Sequence, residues 1–415
     1  MSRAPTTGRY VALALTLALA VMSTACGKGQ DAESGDRAPG VTKDTITLGA
    51  LVDLTAVFAA DSKTVVQGAK LYWDTVNKNG GVCGRRIEVD VANHGYDPQK
   101  AVSLYRDMST KVLAMSPVLG SPIVTALKPS FDRDKMLVSA ATWTSQVLPD
   151  PNFQIAGATY DLETVNAVDW LTREKGLKRG DALGIVYFEG DYGGNSLKGA
   201  KHAAGELGLK LSEHRIQPTD TDLSTQVNAM KTAGVKAIVV AAASPQVASV
   251  TTVASSIGLD VPVVGNTPSF SPKLLTTPAG PALTKNFYTV SSIAPAPSAT
   301  GDEKRFVAAY RAAHTGEQPT QNGVMYAYAA GRIINETLSK ACDDLTREGL
   351  QKAFRSLTDL DTGGAVAGTL DYSDPSVPPS RQVFVSRAAK DAPGGLTAVG
   401  APFESDLARD YPFDQ

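Results

Sequence analysis

The chain has 415 residues, 43% of them hydrophobic and 20% charged, which is enough apolar material to bury the cores of two or three domains and argues against a disordered chain. The net charge of −2 comes without a basic stripe, which argues against nucleic acid as a partner, since phosphate binding needs clustered Lys and Arg. Beyond the N-terminus no stretch reaches the roughly 18 apolar residues of a membrane helix.

The N-terminus carries Arg3 and Arg9, then an apolar core from Val11 to Met22, then the small residues Ser23, Thr24 and Ala25. About 12 apolar residues are too few to span a bilayer, so residues 1–25 read as a secretory signal. Small residues directly before Cys26 resemble a bacterial lipobox, in which the cysteine becomes the lipidated first residue of the mature chain. That resemblance implies a lipid anchor on Cys26; ordinary cleavage near Ala25 beside an incidental cysteine is the alternative. Residues 26–42 are rich in Gly and charge, cannot bury enough to fold, and read as a flexible tether.

Regular structure is expected from there on. "TITLGALV" (Thr45–Val52) is a β-type apolar run, and Val65, Ala69, Tyr72, Trp73 and Val76 recur at helical spacing before "NGGVCG" stops the helix. "RIEVDVA" is a strand, Asp97-Pro98 caps and starts a helix, "VLAMSPVLG" is a strand, a helix starts at Ser121, and "MLVSAAT" is a strand. The cycle restarts with a helix from Asp161 to about Lys175, the strand "ALGIVYFEGDYG", and helices Asn195–Leu207, Asp222–Ala233 and Pro245–Ile257 alternating with strands through "PVVGN". Helices near Asp302–Ala313, Gln321–Lys340 and Arg347–Arg355 follow, with a β-rich end holding "GTLDYS" and "RQVFVSR". Alternating β and α with short loops predicts an α/β fold of parallel sheets covered by helices, in two series of similar length.

In open parallel sheets ligands bind outside the carboxyl ends of strands, so the residues after each strand are the candidates. Ser121-Pro122 and Ser244-Pro245 read as N-cap and N1, leaving helix amides suited to an anion, although plain capping explains them equally. Ala140 and Thr142 end a strand, and Trp143 offers a flat apolar face, either as a ligand wall or as a lid on the core. Tyr192 sits in a Gly-rich loop with neither a Walker pattern nor a dinucleotide fingerprint, and reads as a ring packing on a ligand. His94, His202, His214 and His314 lie far apart without metal-ligand spacing, and neither GxSxG nor CxxC occurs, so no enzyme, metal or cofactor is expected. Cys83 and Cys342, exported with the rest of the chain, are expected to pair.

The run "ITLGALVDL…QGAKLYWDTVNKNGGVCGRRIEVDVANHGYDPQKAVSLYRDM", with its N-x-x-G-G-x-x-G-R and D-P-x-x-A-V pieces, resembles the opening of type I periplasmic binding proteins. More narrowly it is similar to the branched-chain amino acid receptor family of ABC transporters, and "GSPIVTALKP", "SAAT", "YGGNSLKG" and "TREGLQKAF" extend the likeness over most of the mature chain. The resemblance implies two Rossmann-like lobes joined by three hinge crossovers, with lobe I at 43–158 plus 290–365 and lobe II at 159–289 plus 366–415. It implies that Ser121, Ala140 and Thr142 hold a ligand carboxylate and that Tyr192 packs on the ligand. In the family an acid after the "V-V-G" strand holds the amino group; here Asn266 and Thr267 stand there, so Asp161, Glu189 or Asp191 would have to substitute. Tyr160, Asn266 and Thr267 complete the expected ligand set. The function implied is an extracytoplasmic, lipid-anchored, monomeric substrate-binding protein that hands a small amino acid, amide or other carboxylate to an ABC permease. A ligand sensor facing a membrane partner, or a secreted α/β enzyme, are the alternatives.

Overall fold

The computed structural model describes residues 38–413, so the signal, Cys26 and most of the expected tether lie outside the described residues. The end of that expected tether differs from expectation. Gly40 accepts from Thr47 N at 2.8 Å, Thr42 N donates to Thr45 O at 2.9 Å, and Val41 bridges Ile46, so residues 38–42 already belong to the fold.

The first series runs β1 (Thr45–Val52), α1 (Ala59–Lys78), β2 (Arg86–Asn93), α2 (Pro98–Met108), β3 (Ala114–Leu119), α3 (Ser121–Asp134), β4 (Val138–Ala141) and β5 (Phe153–Gln154). Its sheet has the order β2-β1-β3-β4-β5, all parallel. β3 and β4 are buried at every position, as central strands covered on both faces require.

The second series runs α4 (Tyr160–Lys175), β6 (Ala182–Phe188), α5 (Asp191–Leu207), β7 (Lys210–Ile216), α6 (Ser224–Thr232), β8 (Val235–Ala241), α7 (Ser244–Ser256), β9 (Val263–Gly265), α8 (Gly280–Asn286) and β10 (Phe287–Ser291). After α9 (Gly301–Ala313), α10 (Tyr326–Lys340) and α11 (Arg347–Arg355), the chain ends in β11 (Phe384–Ala388), β12 (Leu396–Ala398) and α12 (Asp406–Arg409). The second sheet has the order β12-β11-β10-β9-β8-β6-β7. Its parallel part repeats the strand order of the first sheet. The expected parallel sheets are present, and the β-rich end adds β11 and β12 to the second sheet as antiparallel strands. The turn from Ala388 to Leu396 is too short for the helical crossover a parallel pair needs. "GTLDYS" forms no named strand; Leu370 makes only an isolated bridge to Leu360.

The chain passes three times between the sheets, and the three crossings are bonded to one another. Ala158 N donates to Ser292 Oγ at 2.7 Å, Ala367 N to Ser292 O at 2.8 Å, and Ala294 N to Ala365 O at 3.0 Å. α1 and α10 pack together, and the Cys83–Cys342 disulfide joins the turn after α1 to the end of α10. α5 lies close on α4 because Gly199 has no side chain: a Cβ there would stand 2.2 Å from Asp161 O.

Candidate functional site

Both sheets switch strand order beside their first strand, and at such switch points the loops at the carboxyl ends splay apart into a crevice. A cavity lies among these loops. Phe58 and Asp61 reach it from beyond β1, Tyr96 from beyond β2, Leu119, Gly120 and Ser121 from β3 and α3, and Ala141 and Trp143 from β4 and its loop. Tyr160, Tyr192 and Pro268 come from the second series, and Asn322 from a π-helical turn at 321–325 that precedes α10.

Local bonding explains how each piece is held. Buried Asp53 accepts from Thr55 N, Ala56 N and Phe58 N at 3.1, 2.7 and 2.9 Å, curling the chain after β1 and setting Phe58 and the start of α1. Gly120 is the true N-cap of α3, with φ of 102°, and a Cβ there would stand 2.8 Å from the Tyr96 ring. Ser121 is therefore the first helical residue, so the helix starts one place earlier than the Ser121-Pro122 pair suggests, and no side chain caps α3. Its hydroxyl instead lies 2.5 Å from that of Thr142, both of them buried. The result is two hydroxyls beside a helix N-terminus, a combination that favours an anionic oxygen.

The aromatic wall is rigid. Trp143 Nε1 donates to Ala156 O at 2.9 Å, and Tyr160 N donates to Trp143 O at 2.6 Å. The Tyr160 ring is 6.1 Å from that of Trp143 and 4.6 Å from that of Tyr192, centroid to centroid. Tyr192 donates its hydroxyl to Asn266 Oδ1 at 2.5 Å, and Asn266 Nδ2 donates to Ser196 Oγ at 2.8 Å.

Of the residues singled out in the sequence, Ser121, Trp143, Tyr160 and Tyr192 line the cavity. Thr142 stands behind Ser121, and Ala140 is fully buried in the sheet while its neighbour Ala141 faces the cavity. Asn266 supports Tyr192 from outside the lining. Thr267 bonds to buried Glu163 and to Ser291 Oγ (2.8 Å), which places it under the crossings. Asp161 lies outside the cavity lining, and its carboxylate accepts from Ser145 Oγ at 2.6 Å, Asn195 Nδ2 at 3.0 Å, Leu162 N at 2.9 Å and the Thr159 hydroxyl. It is occupied in holding α4 and α5 together. Glu189 is exposed and paired with Arg215 at 2.9 Å, away from the cavity.

A family comparison decides what this arrangement is. The periplasmic binding protein family matches residues 45–393. The chain belongs to that family. A fatty acid ABC transporter substrate-binding protein from Thermomonospora curvata is 40% identical, covering 91% of this chain and 97% of its own, with a TM-score of 0.88. A branched-chain amino acid ABC transporter protein from Thermus thermophilus with bound valine is 18% identical, covering 89% and 99%, with a TM-score of 0.78. A leucine-binding protein from Thermotoga maritima is 16% identical, covering 87% and 99%, with a TM-score of 0.74. The last two share the fold. No curated protein matches.

In this periplasmic binding protein two buried carboxyls were missed by motif reading. Burial pushes Asp61, at the cavity, up to about 7, against the opposing pull of an Asn322 hydrogen bond and of Lys273. Burial likewise pushes Glu163 up to about 8, against donors from Thr267 and Ser292. Neither lies in a motif. Asp61 could have been found by applying the strand-end rule to the loop after β1; Asn322 lies in a π-turn that no sequence signal marks.

Proposed function

We propose that this chain is the substrate-binding component of an ABC importer, capturing a small carboxylate ligand with an apolar body between its two α/β halves. The observation that carries the reading is the pairing of the Ser121 and Thr142 hydroxyls at the uncapped start of α3 with an aromatic wall of Trp143, Tyr160 and Tyr192. A bound carboxylate would take both hydroxyl protons in exchange for their mutual bond, while the rings receive the apolar part. The fatty acid named for the relative from Thermomonospora curvata, and the valine bound to the fold relative from Thermus thermophilus, both carry a carboxylate on an apolar body.

Capture works by closure about the three bonded crossings. A ligand touching both halves binds the closed state more tightly and shifts the population toward it, with no covalent chemistry. The ordinary setting for such a protein is outside the cytoplasm, with a lipid on Cys26 holding it near its permease and the chain acting as a monomer. No helix among the described residues is long and apolar enough to cross a membrane.

A thermal-shift screen of amino acids, straight-chain fatty acids, amides and aromatic acids tests the reading, each acid beside the alcohol that lacks its carboxylate. A ligand at 100 times its Kd stabilises by about 3 kcal/mol, a rise of several degrees in Tm. Acids that shift Tm while their alcohols do not support the reading; equal shifts, or none from any acid, refute it.

A further inference from the structure

Asp61, in the first turn of α1, stands at the seam between two cavities. On one side it lines the cleft together with Ser121, and on the other a second, larger cavity together with Lys63, Lys273 and Glu317. The second series supplies the facing wall of both: Tyr160, Tyr192 and Pro268 in the cleft, and Ser271, Pro272 and Lys273 in the second cavity. Between these walls Asp61 is 7% exposed, with a side-chain hydrogen bond to Asn322. Its neighbours leave Asp61 as the titrating group of this seam. Lys63 is paired with Glu317 at 2.7 Å and holds that carboxyl below its usual range. Burial pushes Tyr96, Tyr160 and Tyr192 up, so their hydroxyls stay neutral. Asp53 has its carboxylate bonded to the amides of Thr55, Ala56 and Phe58. Lys273 pulls the Asp61 carboxyl down, but burial outweighs it, and the carboxyl rises to about 7.

With the halves apart, the walls from the second series leave and Asp61 returns to water at the start of α1. The burial that favours its protonated form therefore belongs to the closed arrangement. Lys273 leaves with the same walls; since burial outweighs its pull, the net change on opening is loss of the proton. A ligand carboxylate at Ser121 shares the cleft with Asp61 and adds a like charge, which favours the protonated form further. Resting on the function proposed above, we infer that capture of an acid ligand is coupled to uptake of a proton at Asp61, which makes the cleft a pH-gated trap that closes more readily in acid and releases more readily at higher pH. Asp61 moves from its ordinary value of 3.8 when open to about 7 when closed, so between these values the closed state binds the extra proton. Ligand affinity falls as pH rises through that window, by up to about tenfold per pH unit, and levels off above it.

The test uses octanoate and 3-phenylpropanoate, two acids that stay ionised from pH 6 to 8 and carry no other titrating group. Calorimetric titration of the wild-type protein with the tighter of the two is expected to show affinity falling ~10-fold from pH 6 to pH 8. Repeating the titration at pH 7 in buffers of different ionisation enthalpy should show net uptake of about half a proton per ligand. Asp61→Asn, checked for a cooperative melt, is uncharged at every pH and should bind with affinities that agree within ~2-fold at pH 6 and pH 8. Wild-type affinity that does not change with pH, or a proton released on binding, overturns the inference and leaves the carboxylate-binding function standing. A wild-type slope that persists in Asp61→Asn also overturns it, since the coupling then belongs to another group, such as buried Glu163. If neither acid binds, the inference falls, and the acid and alcohol screen decides whether the broader function falls with it.

Discussion

Replacing Glu163 with Gln removes one buried charge from beneath the crossings while keeping the shape of the side chain. Glu163 is fully buried on α4; its Oε2 accepts from Thr267 N at 3.0 Å, and its Oε1 meets the Thr267 hydroxyl and Ser292 N at 3.4 Å. Burial lifts its carboxyl from 4.5 to about 8, with the nearby Asp161 adding to the rise. The folded value lies above the unfolded one, so the native state binds the extra proton. The stability this contributes is complete below about 4.5 and is lost as pH rises through about 8. The whole shift corresponds to about 5 kcal/mol, and the part between pH 5 and pH 9 to about 4 kcal/mol. Gln does not titrate, so Glu163→Gln is expected to match the wild type within about 1 kcal/mol at pH 5 and to exceed it by several kcal/mol at pH 9. Urea unfolding of both proteins, followed by tryptophan fluorescence from pH 5 to 9, reads the difference directly; titrating groups away from Glu163 are common to both and cancel. A difference that stays flat across this range, or one that favours the wild type at pH 9, would refute the reasoning.

Three further outcomes follow from the packing. Intact-mass measurement without reductant should find Cys83 joined to Cys342, and breaking the bond should lower stability by up to about 5 kcal/mol, because it closes a loop with a sequence separation of 259. Gly199→Ala should destabilise by about 1–3 kcal/mol, since the new Cβ meets the Asp161 carbonyl at 2.2 Å and forces α5 off α4; an unchanged Tm would mean that the helices are not this close. Trp143→Ala should cost about 3–5 kcal/mol in urea unfolding, since the ring is 3% exposed and packs on Tyr326 at 5.2 Å; a cost below 1 kcal/mol would mean that the ring is not part of the core.

What could be read from the sequence follows the strength of the local physics. Alternating apolar runs and helical spacings, punctuated by Gly and Pro, were enough for the α/β class and two repeated series, because buried parallel strands such as β3 and β8 are predominantly apolar. Ser121, Trp143 and Tyr192 were legible because they follow strands, Ser121 beside Pro122 and Tyr192 beside Gly193. The cap of α3 was misplaced by one residue, since Gly120 reaches its positive φ through close packing on Tyr96, a tertiary fact. Asp161 looked free in sequence, yet its four donors come from Ser145, Thr159, Leu162 and Asn195 and converge only in the fold. Asp61 was hidden because its place at the cavity depends on the turn that Asp53 folds after β1 and on a π-turn some 260 residues away. β11 and β12 run antiparallel because of a short turn, which strand composition alone does not announce.

The central claim, that this family member holds an acid ligand at the Ser121–Thr142 pair, is tested most directly by one comparison. The acid that raises Tm most is titrated calorimetrically into the wild type and into the Ser121→Ala/Thr142→Ala variant, both melting cooperatively. Losing two hydroxyl donors to a buried carboxylate predicts a fall in affinity of at least ~30-fold. Equal affinity in the two proteins would contradict the account.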